Sequence, residues 1–410
     1  MKHNHYIFMV FILMLGASAF AKKAYKAVVI VPIADGVGSP IQTFFPESSP
    51  TKAYANLPVS GGMPLSSSCC PRLHQFLFNE IGTVIKEEGP EVLIKISNCF
   101  YITQTNNTPQ HIYWTLKKNI ISIDRLESKG ISTDKFPPSI SFENPESMNN
   151  ERVATLINPW FDEGKKNTYS AGTRFLKTTD QHENASITVH LFDAQENEFT
   201  RAIIPTSYLV ESGLNSSEKK VELFVKILKM WAHPNNGFIP YVWGGCSFTE
   251  TTDQPFTEIQ DKACSYYEIN NFSPIPKPGL DCSNLILRAA QLAGIPFFFK
   301  NSYTMAEYLK KLQPTQQLSA GDIIWIPGHV MVVADIAKNT LIEARGYKYK
   351  GQGKVQEIVL NKVFKKIHTF DQLVAARNAK QPLQRLGDDG SIIETIKNFK
   401  LLSMRSIMEQ

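Results

Sequence analysis

The strongest constraint on this chain is the run Asp281-Cys282-Ser283 and the two patterns that follow it. Leu285, Ile286, Ala289, Leu292 and Ala293 recur at helical spacing, and Gly294-Ile295-Pro296 ends the pattern. Cys282 therefore sits in the first turn of a helix, with Asp281 at the N-cap. Further on, Gly321-Asp322 leads into Ile323-Ile324-Trp325-Ile326. His329 then heads Val330-Met331-Val332-Val333-Ala334, an almost wholly apolar, buried strand that pairs with the one before it. A helix headed by a cysteine and a strand headed by a histidine, in that order, make an α+β unit built for thiol chemistry.

Unpaired N–H groups and partial positive charge at a helix N-terminus favour an anion, so a thiolate there is stabilised, and the thiolate is the attacking species. The same amides serve an oxyanion, and the Asp281 carboxylate accepts helix N–H bonds. His329 is the candidate base. A base of this kind needs a third polar group on its other ring nitrogen. Thr340-Leu341-Ile342-Glu343-Ala344 supplies Glu343, a lone acid in an apolar run. Upstream, Tyr241 and Trp243 flank a turn that ends in Gly244-Gly245, and the Tyr241 hydroxyl is a candidate substrate contact. The competing readings are a small core residue for Cys282, a structural histidine for His329, an edge-strand acid for Glu343 and aromatic packing for Tyr241. The joint order of the motifs favours chemistry. Cysteine–histidine chemistry without metal points to acyl transfer, most simply amide hydrolysis, with no cofactor.

The chain has 410 residues, 43% of them apolar, which suits two or three packed domains. Lys2, the apolar run Tyr6 to Leu15 and Ala19-Phe20-Ala21 read as a signal peptide over residues 1–21. Secretion to a periplasm or cell envelope follows. No other stretch is long and apolar enough to span a bilayer, so no integral membrane segment is expected in the mature chain. The net charge of +5 falls to +4 without Lys2, too small a balance for a nucleic-acid partner. Of the six cysteines, Cys246 with Cys264, and Cys69 or Cys70 with Cys99, are candidate pairs if Cys282 stays a thiol. No CxxC or Cys/His pair has zinc spacing, so no metal is expected. Short strands fill Ala24 to about Arg125 and Val153 to about Glu211. Residues 128–150 read as a linker, and a helix is expected from Ser216 to Met230. The charged end, residues 377–410, carries a possible amphipathic helix over Ile392 to Ile407.

Tyr241-Val242-Trp243-Gly244-Gly245, Asp281-Cys282-Ser283, Gly321-Asp322 and His329-Val330 together resemble the NlpC/P60 family of cell-wall cysteine peptidases, within the papain-like superfamily. The β blocks resemble bacterial SH3 modules. The resemblance implies a papain-like catalytic domain at 216–376, preceded by two small all-β SH3-like barrels at 22–127 and 151–215. It implies cleavage of the γ-D-glutamyl–diamino acid bond of peptidoglycan stem peptides; a monomer is the separate expectation for the chain. Cys282 is then the nucleophile and His329 the base, while Tyr241, Asp281 and Ser283 match substrate-contacting positions. Relatives with two SH3 modules take peptides with a free L-Ala amine, held by an acid in the first module.

This chain departs from the pattern in four places. Glu343 stands where His is usual, Asn284 stands where Gly is usual, and residues 246–280 form an insertion. The matching stretch Cys70-Pro71-Arg72-Leu73-His74-Gln75 lacks the amine-holding acid, which leaves Glu80 or Glu47 as substitutes. The rival functions are a catalytically degenerate wall-peptide-binding module and an acyltransferase or amidase of the same superfamily.

Overall fold

The computed structural model describes residues 23–59, 70–179, 185–211, 213–214, 216–254, 257–260, 265–268, 276–347 and 352–409. The expected signal peptide, Cys69, Cys264 and much of the insertion lie outside the described residues. The fold is mixed α/β.

The N-terminal strands are β1 (Tyr25–Val29), β2 (Ile33–Val37), β3 (Arg72–Leu77), β4 (Ile81–Glu88), β5 (Glu91–Lys95), β6 (Ile112–Leu116) and β7 (Ile120–Ser122). They form one seven-stranded sheet in the order β3-β2-β6-β5-β4-β1-β7. The expectation was a closed small barrel, but this sheet is open. The edge strand β3 meets the later half of the chain through the Gln75 side chain. Gln75 Oε1 accepts from Cys246 N (3.0 Å) and Ser247 Oγ (2.7 Å), and Gln75 Nε2 donates to Lys277 O (2.9 Å). The second β block is not a closed barrel either. Among the described residues it holds three two-stranded ladders, Val153–Thr155 with Arg174–Leu176, Trp160–Asp162 with Asn167–Tyr169, and Ser186–Asp193 with Glu198–Pro205. Isolated bridges such as Leu156 to Leu209 and Lys177 to Val189 link these segments. Trp160, Tyr169, Phe175 and Leu191 form its core together with Val28, Phe78 and Ile121 of the first sheet.

The later half contains helix α1 (Ser217–Ala232), helix α2 (Cys282–Leu292) and strands β8 (Ile323–Ile326), β9 (His329–Asp335), β10 (Thr340–Arg345) and β11 (Lys354–Val359). Helix α3 (Phe370–Asn378), the hairpin strands β12 (Leu383–Leu386) and β13 (Ile392–Ile396), and β14 (Lys400–Leu402) complete it. One antiparallel sheet runs β11-β10-β9-β8-β14. Its apolar strands are covered on both faces. Val330, Val332, Ala334, Ile342 and Ala344 share a core with Phe224 of α1 and Leu285 and Ala289 of α2. Met331, Val333 and Leu341 pack instead with Phe364, Phe370, Leu373, Leu383 and Ile396. Alternation along β9 and β10 sorts successive side chains between these two layers.

The helix expected over Ile392 to Ile407 does not form. Its residues make β13, β14 and only a short 3-10 turn at Arg405–Ile407. Ile392, Ile393, Thr395 and Ile396 are β-branched and suit a strand, and β14 completes the sheet beside β8.

Candidate active site

Asp281 is the N-cap of α2. Its Oδ1 accepts from Asn284 N (2.7 Å) and Ser283 Oγ (2.9 Å), and its Oδ2 accepts from Asn284 Nδ2 (2.9 Å). Burial raises the Asp281 carboxyl, against the downward pull of Lys300 and these hydrogen bonds. Asn284 is fully buried and its Oδ1 accepts from Lys300 Nζ at 2.7 Å. The residue that replaces the usual glycine therefore links the cap to a buried cation. We expect Asn284→Gly to strand the Lys300 ammonium and cost about 1–3 kcal/mol, measured by urea unfolding.

Cys282, the first residue of α2, is half-buried. Helix α2 packs on β9 and β10, the strands that carry His329 and Glu343. The remaining described cysteines, Cys70, Cys99 and Cys246, are buried thiols, so no pairing among them appears. Burial pushes the Cys99 thiol up to about 12 and raises those of Cys70 and Cys246 as well. These three are poor nucleophiles.

His329 is 3% exposed, and its Nε2 lies 2.7 Å from Glu343 Oε2. That bond occupies Nε2 of the ring. Glu343 is 1% exposed and held by two guanidiniums. Arg385 Nη2 lies 2.6 Å from its Oε2, and Arg345 Nη1 lies 3.5 Å from its Oε1. Burial alone would raise the Glu343 carboxyl. Arg385, the His329 hydrogen bond and charge, and Arg345 outweigh it and hold the carboxyl well below the usual carboxylate range. The ionised form of Glu343 is thus favoured, and its Oε2 holds the His329 ring in place.

Tyr241 is joined by a parallel bridge to Leu280, two residues before the thiol. Its ring packs on Gly346 and meets Tyr347 edge-on at 6.0 Å, and its carbonyl accepts from Tyr347 Oη at 3.0 Å. The next turn is where the N-terminal sheet docks. Trp243 N donates to Val59 O (2.7 Å), and Arg72 Nη1 donates to Trp243 O (3.2 Å). Arg72 itself is ion-paired to Asp35 at 2.8 Å, with both side chains 1% exposed. Gly244 has φ +67, and a Cβ there would lie 2.5 Å from Arg72 O. Gly244→Ala should therefore push the two halves apart and cost about 1–3 kcal/mol, read as a lower Tm and faster proteolysis at the 57–59 segment. Glu80, expected as a substitute amine-holding acid, is instead ion-paired with Arg288 at 2.9 Å; Glu47 is exposed.

The structure thus brings His329 to Glu343, and Ser283 to Asp281. Sequence reading missed the two arginines. Arg345 was visible two residues beyond Glu343 on the same strand, where side chains share a face. Arg385 lies two residues beyond Leu383, on the same face of a strand within the stretch 377–410 that the sequence presents as a charged end.

No family model and no curated protein matches the chain. Among solved structures it is similar to an NlpC/P60 family protein from Bacillus cereus ATCC 10987, at 15% identity over 82% of this chain and 94% of that one, with a TM-score of 0.49. It is also similar to NlpC2 from Trichomonas vaginalis, at 10% identity over 83% of this chain and 93% of that one, with a TM-score of 0.30. NlpC1 from the same organism is 12% identical over 86% of this chain and 94% of that one, with a TM-score of 0.28. No described helix is long and apolar enough to cross a membrane.

Proposed function

We propose that this chain is an exported cysteine peptidase that cleaves the γ-D-glutamyl–diamino acid bond of peptidoglycan stem peptides. The observation that carries the reading is the buried His329–Glu343 hydrogen bond of 2.7 Å, on strands packed against the helix that Cys282 heads. In this reading residues 216–376 hold the chemistry. The β segments 22–127 and 151–215 act as SH3-like modules, and the first of them closes one side of the site. Tyr241, Asp281 and Ser283 line the approach.

His329 Nδ1 takes the Cys282 proton, and the thiolate attacks the γ-carbonyl carbon of D-Glu. Glu343 stabilises the imidazolium, and amides of the first turn of α2 face the oxyanion. The tetrahedral adduct collapses as the imidazolium protonates the departing amine of the diamino acid, leaving a γ-glutamyl thioester. His329 then removes a proton from water, hydroxide equivalents attack the thioester, and Cys282 leaves as thiolate and is reprotonated. Every proton taken by the imidazole is returned, and no cofactor enters the balance.

Mass spectrometry of L-Ala-γ-D-Glu-diamino-acid peptides tests the reading. Wild-type protein is expected to release L-Ala-γ-D-Glu and Cys282→Ala is not. Loss of cleavage on blocking the amine makes the enzyme a dipeptidyl-peptidase, and indifference to the block makes it an endopeptidase. Absence of cleavage by wild type would overturn the proposal.

A further inference from the structure

The stretch beyond α3 completes the catalytic apparatus. Strand β12 delivers Arg385, which is fully buried, to the carboxylate that holds the candidate base. Three contacts fix the guanidinium there. Nη2 lies 2.6 Å from Glu343 Oε2, Nη1 lies 3.1 Å from Met331 Sδ, and Cζ lies 5.5 Å from the Phe364 ring centroid. The Glu343 oxygen that Arg385 touches is the same one that meets His329 Nε2. Arg345 takes the other oxygen more loosely, at 3.5 Å, and divides its charge with Asp388 at 3.0 Å while donating to Leu386 O at 2.5 Å. Arg345 thereby also ties β10 to the end of β12.

We infer that Arg385 is a positioning residue for catalysis: it fixes the Glu343 oxygen that orients His329. This rests on the proposed Cys282–His329 chemistry. The charged groups around Glu343 are Arg345 on its own strand, His329 on β9 and Arg385 on β12, with Gln356 as its neutral neighbour on β11. Glu343 and Asp388 carry two negative charges, and Arg345 and Arg385 two positive ones. These four side chains balance before the imidazole gains a proton, and the imidazolium that forms faces the Glu343 oxygen held by Arg385. Without Arg385 the cluster becomes anionic around a fully buried carboxylate. Burial then favours the protonated acid, and a protonated Glu343 no longer stabilises imidazolium.

The test is the rate of Cys282 alkylation by iodoacetamide as a function of pH, located by peptide mass spectrometry. It uses the full chain and no substrate. The acid limb of the wild-type profile should move upward by at least one pH unit in Arg385→Met, with a loss of tenfold or more at pH 6. Arg385→Lys should stay within threefold of wild type. In a Glu343→Gln background there is no carboxylate to hold, so adding Arg385→Met should change the rate less than twofold and should not lower Tm. A wild-type profile in Arg385→Met, or a further tenfold loss in the double variant, would overturn the inference. If Arg385→Met alone does not fold, the comparison of Glu343→Gln with the double variant decides by itself. Wild-type alkylation no faster than that of an unfolded cysteine peptide would overturn this inference and the proposed function together. The expected shifts in the wild-type and variant alkylation profiles, found without peptide cleavage, would remove the substrate assignment and leave the role of Arg385 intact.

Discussion

Cys282→Ala is expected to lower kcat for stem-peptide cleavage by at least about 10⁴-fold, because removing the nucleophile of a coupled nucleophile–base set removes nearly all the catalysis that set provides. The fold should be unaffected. Cys282 is half-buried at the start of a helix whose cap bonds run from Asp281 to Ser283 and Asn284, and none of those atoms belongs to the thiol. Alanine is also the best helix former. Peptide binding should persist, so calorimetric titration of the variant with uncleaved peptide would separate binding from turnover. Retained turnover at more than a hundredth of the wild-type rate would place the chemistry elsewhere.

The second large effect is on stability. Glu343→Leu leaves Arg385 and Arg345 buried beside an apolar side chain. Breaking one side of a buried ion cluster costs about 3–5 kcal/mol, read as a lower urea midpoint at unchanged slope. Arg385→Met together with Glu343→Leu should recover much of that loss, since the double variant leaves less uncompensated charge. The same carboxylate sets a pH dependence. Its folded pKa is depressed, so its stabilisation is fully present above the unfolded value of about 4.3 and is lost as pH falls toward the folded value. Wild-type protein should therefore lose stability on acidification below about pH 5, and Glu343→Gln should show a shallower slope over that range. An equal slope in the two proteins would mean that Glu343 is not held ionised.

The parts of this molecule that were readable in advance are those whose reasons are local. The cap at Asp281 and the helix after it follow from the spacing of Leu285, Ile286, Ala289 and Leu292 behind a short carboxylate. The pairing of β8 with β9, and the meeting of His329 with Glu343, follow from apolar strands in succession with single polar side chains on them. What was not readable depends on distant chain. Gly244 looks like an ordinary turn residue until Arg72 O arrives 2.5 Å from the place of a Cβ. The docking of β3 rests on Gln75 bonding to Cys246 and Ser247, more than a hundred residues away. The end of the chain departs most from expectation, since residues 392–407 read as a possible amphipathic helix in a charged stretch. The β-branched run at Ile392 to Ile396 and its pairing with β12 decided otherwise.

The measurement that tests the central claim most directly is covalent trapping with an electrophile built on L-Ala-γ-D-Glu, carrying a diazomethyl ketone at the γ-carbon. The adduct would be located by tandem mass spectrometry in wild type, His329→Ala and wild type protected by excess stem peptide. The account predicts a single adduct on Cys282 that slows sharply without His329 and is suppressed by substrate, with Cys70, Cys99 and Cys246 unlabelled. Labelling spread over several thiols, or stem-peptide cleavage that continues while Cys282 stays unlabelled, would contradict it.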